Sequence, residues 1–129
     1  KSLNQNMHKP VLLNESIEGL NIDPEGIYVD LTFGSGGHSG EILKRLKGGK
    51  LISFDQDEET RQNILKDKRF VFVQGNFRFF KNFLLYLGFK KVNGVFADLG
   101  VSSHHFDKTD YGRERGQQFM GYGGNELCL

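Results

Sequence analysis

The stretch that most constrains this chain is residues 28–40, Tyr28-Val29-Asp30-Leu31-Thr32-Phe33-Gly34-Ser35-Gly36-Gly37-His38-Ser39-Gly40. An apolar, strand-forming run ends in an acid. A glycine-rich turn follows. A helical pattern then places Ile42, Leu43 and Leu46 on one face. Strand, glycine-rich turn, helix is the ligand-site order of a doubly wound α/β sheet. Glycines there permit positive φ and let a ligand lie against bare backbone. The following helix offers unpaired N–H groups to that ligand. A Walker loop would need Gly-Lys-Ser/Thr, and the turn holds no Lys. A dinucleotide fingerprint would need a third glycine where Ser39 stands.

The turn does contain Asp-x-x-x-Gly-x-Gly, from Asp30 to Gly36, which resembles the first motif of S-adenosylmethionine (SAM) methyltransferases. SAM carries no phosphate, so a turn without basic residues suits it. An acid at the strand end can face its ammonium group.

The remaining chain reads as a βαβαβαβ succession. A short helix is expected from about Asn14, with Ile17 and Leu20 on one face. Strand one covers 27–32. Helix one covers 39–47 and stops at Gly48-Gly49, a C-cap pair. Strand two, 50–55, ends in Asp55, nineteen residues after Gly36. An acid about twenty residues on is placed to accept from a ribose hydroxyl pair. Asp57-Glu58-Glu59 reads as the cap and first turn of a helix to about Lys66. Strand three, 70–74, is followed by Gly75-Asn76-Phe77, where the aromatic can lie against an adenine ring or simply fill the core. Phe79, Phe80, Phe83, Leu84 and Leu87 recur at helical spacing and read as the buried face of helix three, ended by Gly88. Strand four, 92–99, is apolar enough to be covered on both faces, and Asp98 stands near its end. Parallel strands point their carboxyl ends one way, so Asp30, Asp55 and Asp98 converge on one rim. From Asp110 onward there are five glycines and no apolar period, the composition of a loop.

Bulk properties set wider bounds. The 129 residues suffice for one ordinary core. Seventeen basic and sixteen acidic residues give a net charge of +1, so the average surface selects no polyanionic partner. The lone cysteine, Cys128, excludes an intrachain disulfide and fits a reducing compartment. No apolar run reaches the length of a membrane span and no signal-peptide pattern opens the sequence, so a cytoplasmic location is expected. His38 has no second ligand spaced near it, so no metal site is expected. Lys44, Arg45, Lys47 and Lys50, with Lys66, Lys68 and Arg69, form basic clusters that either meet phosphates or make a solvated face.

Together, His8-x-Pro10-Val11-Leu12-Leu13-x-Glu15, Asp30-x-Thr32-Phe33-Gly34-x-Gly36-Gly37-His38-Ser39, Phe54-Asp55-x-Asp57 and Asp98-Leu99-Gly100-Val101-Ser102-Ser103 resemble successive motifs of the bacterial 16S ribosomal RNA cytosine-N4 methyltransferases, the MraW family. The match runs from about Met7 to Asp107. The resemblance implies a Rossmann-like α/β fold, here a partial parallel sheet of about four strands with helices on both faces. It implies methyl transfer from SAM to the exocyclic N4 of a cytosine, with 16S ribosomal RNA or the small ribosomal subunit as partner. It implies cofactor contacts at Gly36, Gly37, His38, Asp55, Phe77, Asp98 and His105, where the family often has Gln at the last position. No catalytic residue is assigned, although Asp98 suits an acceptor beside a poorly nucleophilic amine.

The family is more than twice this long. It continues with Arg-Gly-Phe-Ser-Phe-like and Asp-Met-Arg-Met strings, where this chain has Tyr111-Gly112-Arg113-Glu114-Arg115. A truncated SAM-binding domain over 7–107 is therefore expected, with an irregular or foreign tail over 108–129 and no helical insertion domain or C-terminal strands. Strand four would then be a bare apolar edge inviting self-association. Two other readings compete: an inactive SAM-binding fragment serving as an assembly module, and an NAD-dependent oxidoreductase.

Overall fold

The apolar runs at 27–30, 50–55 and 94–98 become strands because each can bury both of its faces, while the run at 70–74 is partly buried at the sheet edge. The structure, a computed structural model, describes residues 17–98, 111–114, 117–122 and 127–129. In chain order the elements are β1 (Ile27–Asp30), α1 (Gly37–Arg45), β2 (Lys50–Asp55), a 3₁₀ helix (Glu58–Asn63) and β3 (Phe70–Gln74). A 3₁₀ turn (Phe77–Phe79) leads into α2 (Phe80–Tyr86). Then come β4 (Lys91–Val92), β5 (Gly94–Asp98), β6 (Tyr111–Glu114), β7 (Gln117–Tyr122) and β8 (Leu127–Cys128). The main sheet has the order β3-β2-β1-β5-β7-β6, its first four strands parallel. β4 and β8 pair separately.

Alternate residues of each strand enter opposite core layers. Tyr28, Leu51 and Phe96 pack with Ile42 and Leu43 of α1, with Leu46 just beyond it, and with Ile17 and Leu20. Val29, Ile52, Phe54, Val95 and Ala97 pack with Leu84 of α2. Helices therefore cover both faces, as the expected Rossmann-like arrangement requires.

Several local expectations need correction. α1 stops at Arg45, and Leu46 is already extended (φ −94°, ψ 153°), so Gly48-Gly49 is not its cap. Gly49 serves close approach instead. A Cβ there would fall on the Gly26 carbonyl, which accepts from Lys50 N–H at 3.0 Å where β1 and β2 begin. The second helix is only the 3₁₀ segment 58–63. Asp57 caps it, accepting from Glu59 N–H at 2.9 Å. The sequence Glu-Glu-Thr-Arg-Gln-Asn has no apolar face to hold a longer helix against the sheet.

In α2 the buried stripe is narrower than expected. Leu84 is fully buried, and Phe80 and Phe83 pack partly against the second core layer. Phe79 and Leu87 are exposed, because Phe79 precedes the helix and Leu87 is its cap. Gly88 (φ +98°) does end the helix. Its N–H donates to Leu85 O and Phe89 N–H to Leu84 O, the Schellman pattern.

Strand four is split at Asn93, whose Oδ1 accepts from Ile27 N–H (2.8 Å) while its N–H donates to Ile27 O (2.7 Å). Leu99 lies outside the described residues, as does the start of the helix expected from Asn14.

Within residues 110–129, expected to be irregular, the described segments 111–114, 117–122 and 127–128 are strands. β7 pairs antiparallel with β5, Val95 opposite Tyr122 and Asp98 opposite Phe119, and β6 extends the sheet further. β7 pairs with β5's open backbone edge, which offers a full row of donors and acceptors. The bare edge at strand four is therefore covered, which removes the ground for self-association through it. Among the described residues, no helix is long and apolar enough to cross a membrane.

Candidate functional site: the carboxyl rim of the parallel strands

β1 lies between β2 and β5, and the crossovers that bring those neighbours run over opposite faces. The chain leaving β1 is the switch point of the sheet, where open α/β folds bind ligands. It is still stitched to both neighbours as it leaves: Leu31 N–H donates to Phe96 O (2.8 Å) and Phe33 N–H to Phe54 O (2.9 Å). Beyond Phe33 the backbone turns sharply, with Gly34 at φ +53° and Gly36 at φ +90°. Gly36 is the N-cap of α1 in the left-handed region, where a side chain would be strained. A Cβ there would also stand 3.2 Å from the Phe33 ring. That ring is fixed by Phe70 and Phe72, with centroids 5.5 and 5.2 Å away.

Asp55, at the end of β2, holds the turn. Its Oδ2 accepts from Gly34 N–H at 2.8 Å and its Oδ1 from Asp57 N–H at 3.0 Å. Asn63 Nδ2 donates to Gly34 O at 3.0 Å and clamps the same residue from the other side. A carboxylate has about four acceptor positions, so about two remain for hydroxyls of a ligand. Asp55 is half-buried and reaches the rim.

Asp98, at the end of β5, has its N–H donating to Thr32 Oγ1 at 2.8 Å, which ties the β5 and β1 ends together. His38 Nε2 lies 4.0 Å from Asp98 Oδ2, beyond hydrogen-bond length. The His38 ring packs on Phe96 at 4.6 Å. Burial holds its imidazole below the ordinary histidine value, against the opposing pull of the Asp98 carboxylate.

Asp30 does not do what the sequence suggests. It is 0% exposed and lies beneath the rim, so it cannot face a ligand's ammonium. Its Oδ2 accepts from Ser39 Oγ at 2.7 Å and its Oδ1 from Thr32 N–H at 2.9 Å. Ser39 Oγ also shares a 2.7 Å hydrogen bond with Ser53 Oγ. Burial pushes the Asp30 carboxyl up to about 6, its hydrogen bonds holding it lower than burial alone would. Asp30, Ser39 and Ser53 thus bind β1, α1 and β2 together under the glycine turn. Sequence reading treats Ser39 only as a missing glycine. The available signal was Ser53, a hydroxyl inside the apolar run Leu51-Ile52-Ser53-Phe54.

Of the other expected positions, Gly36 is buried in the turn and Gly37 opens α1 on the exposed side. Phe77 stands beyond the carboxyl end of β3, 36% exposed. His105 lies outside the described residues. Among the described residues, no group of three His, Cys, Asp or Glu side chains could hold a metal ion.

A rim bearing the Asp55 and Asp98 carboxylates, with a turn free of Lys and Arg, suits a neutral or cationic nucleoside rather than a pyrophosphate. A Rossmann-like sheet with such a turn at its switch point is the fold of the SAM-dependent methyltransferases. A sequence model of the MraW methylase family matches residues 5–122, and the chain belongs to that family. Three relatives are named ribosomal RNA small subunit methyltransferase H. That of Phocaeicola vulgatus is 60% identical over 106 residues, and that of Flavobacterium johnsoniae 58% over 106. That of Parabacteroides distasonis is 59% identical over 107. Each alignment covers 81% of this chain and 35% of the relative, so the chain spans about a third of their length.

Proposed function

We propose that this chain carries the cofactor site of a SAM-dependent methyltransferase that modifies the exocyclic N4 of a cytosine in small-subunit ribosomal RNA. The observation that carries this reading is Asp55, anchored by Gly34 N–H beside the positive-φ Gly36, in a chain of the MraW methylase family. In this reading the free acceptor positions of Asp55 take the ribose hydroxyls. Gly36 and Gly37 leave room for the cofactor against the backbone, and His38 and Asp98 border its amino-acid end. Phe77 lies along the adenine, and His105 completes the set.

The cofactor supplies an electrophilic methyl group on a cationic sulfonium. The chain's part is to orient and to hold charge. Asp98 places a carboxylate at the end of β5, where it can accept a hydrogen bond from an amine brought to the rim. Thr32 fixes its backbone. A pyrophosphate-bearing dinucleotide fits poorly, because Ser39 is locked to Asp30 and Ser53 and cannot become the missing glycine without opening that network.

The test is incubation of the chain with methyl-tritiated SAM and unmodified small ribosomal subunits, followed by nucleoside analysis. Label in N4-methylcytidine is expected. Label only at a ring carbon, or in protein, would contradict the substrate assignment.

A further inference from the structure

The amino ends of the parallel strands border a second pocket, far from the rim. The turn between α1 and β2 and the segment before β3 enclose an open pocket of about 590 Å³, lined in part by Lys47, Lys50, Lys66 and Lys68. All four lysines are exposed, and among the described residues none is ion-paired.

The neighbouring charges are committed elsewhere. Lys44 and Arg45 pair with Glu41 on α1, at 3.6 and 3.3 Å. Arg69 is a strut. Its Nη1 donates to the carbonyls of Leu43 (3.0 Å) and Leu46 (2.6 Å), and its Nε and Nη2 grip Asp67. The Arg69 guanidinium holds the Asp67 carboxyl down to about 2, so this acid stays ionised and bound to arginine. The pocket wall is therefore fixed and Asp67 is bound to Arg69; one further carboxylate, Glu25, reaches the pocket edge, where it accepts from Gly48 N–H at 3.4 Å, so four lysines face a single uncommitted acid.

We propose that this pocket binds phosphate oxyanions and that its ligand is the phosphodiester backbone of the RNA substrate. Lysine suits this because a compact ammonium meets phosphate without demanding one geometry. The contact would position RNA without reading its sequence. Lys50 and Asp55 are the two ends of β2, so pocket and rim are roughly 17 Å apart at about 3.3 Å per residue. An RNA strand held at both ends of the sheet would be contacted several nucleotides from the reacting base. The proposal rests on the RNA-methyltransferase reading, and its test separates the two.

The experiment measures binding of a fluorescent single-stranded oligoribonucleotide to the chain across a salt series. It is repeated with the variant Lys47→Gln/Lys50→Gln/Lys66→Gln/Lys68→Gln. Each lost phosphate contact should remove about 0.7 from the slope of log K against log salt, so the variant's slope should be shallower by about 2–3. Its affinity near 0.1 M salt should fall at least about tenfold. Circular dichroism and titration with S-adenosylhomocysteine should be unchanged in the variant. Equal slopes and affinities would overturn the proposal, as would failure of the native chain to bind the oligoribonucleotide. Binding of inorganic phosphate without binding of the oligoribonucleotide would overturn the RNA assignment. Failure of S-adenosylhomocysteine to bind the native chain would count against the rim and leave the pocket result standing.

Discussion

Asp30→Asn is expected to stabilise the chain above pH 7 by about 3 kcal/mol, taking about 1.36 kcal/mol for each pH unit that Asp30 is displaced. The carboxyl is fully buried, and its folded-state value is about 6 against an ordinary 3.8. Between these values the folded chain binds more protons than the unfolded one. The Asp30 contribution therefore falls as pH rises through that window and is at its worst above it. Asparagine removes the charge and keeps the shape. Its carbonyl can accept from Thr32 N–H. Its amide can donate to Ser39, because either hydroxyl of the Ser39–Ser53 pair can be the donor. Urea unfolding of both chains from pH 4 to pH 8 gives a difference curve in which the other titrating groups cancel. That curve should climb by about 3 kcal/mol across the window. Parallel curves would mean that Asp30 ionises in the fold without cost.

The second large effect is at the rim. Asp55→Ala is expected to weaken S-adenosylhomocysteine binding by about a hundredfold or more. Two hydrogen bonds from hydroxyls to a charged acceptor are lost, each worth roughly 1.5–3 kcal/mol. The turn also loosens, because Gly34 N–H loses its 2.8 Å partner. Stability should change far less, since Asp55 is only half-buried and water can reach the freed groups. Asp55→Asn, which keeps one acceptor for the turn, should fall between the two. Calorimetric titration reads the affinities and thermal unfolding reads the stability. Unchanged affinity in the alanine variant would reduce Asp55 to a cap for the segment that follows it.

The parallel half of the sheet is legible in the sequence because its strands are largely apolar runs, three of them buried on both faces and the fourth, β3, partly buried at the sheet edge. The acids at the strand ends placed the rim for the same reason. What the sequence hid was burial. Nothing in Asp30-x-Thr32-Phe33-Gly34 distinguishes an acid facing solvent from one sealed under Ser39 and Ser53. The difference lies in contacts between residues nine and fourteen positions apart. The glycines at 48 and 49 were misread for a similar reason. Their position after a helix suggests a cap, but what requires Gly49 is the Gly26 carbonyl in the bend before β1. β6 and β7 were not legible because their five-glycine stretch reads as turn composition, whereas what places them is pairing with the distant backbone edge of β5. The lysines were visible singly. Only the fold shows that Glu41 pairs with two of the basic residues, that Arg69 is a strut, and that four lysines remain around one pocket.

The most direct measurement is calorimetric titration of S-adenosylhomocysteine, and separately of NAD, into the 129-residue chain after circular dichroism shows it folded. Saturable one-to-one binding of S-adenosylhomocysteine, with no heat from NAD, is the predicted result and places a methyl-donor cofactor on the rim. A folded chain that gives no heat with S-adenosylhomocysteine, or that binds NAD in its place, would contradict the account.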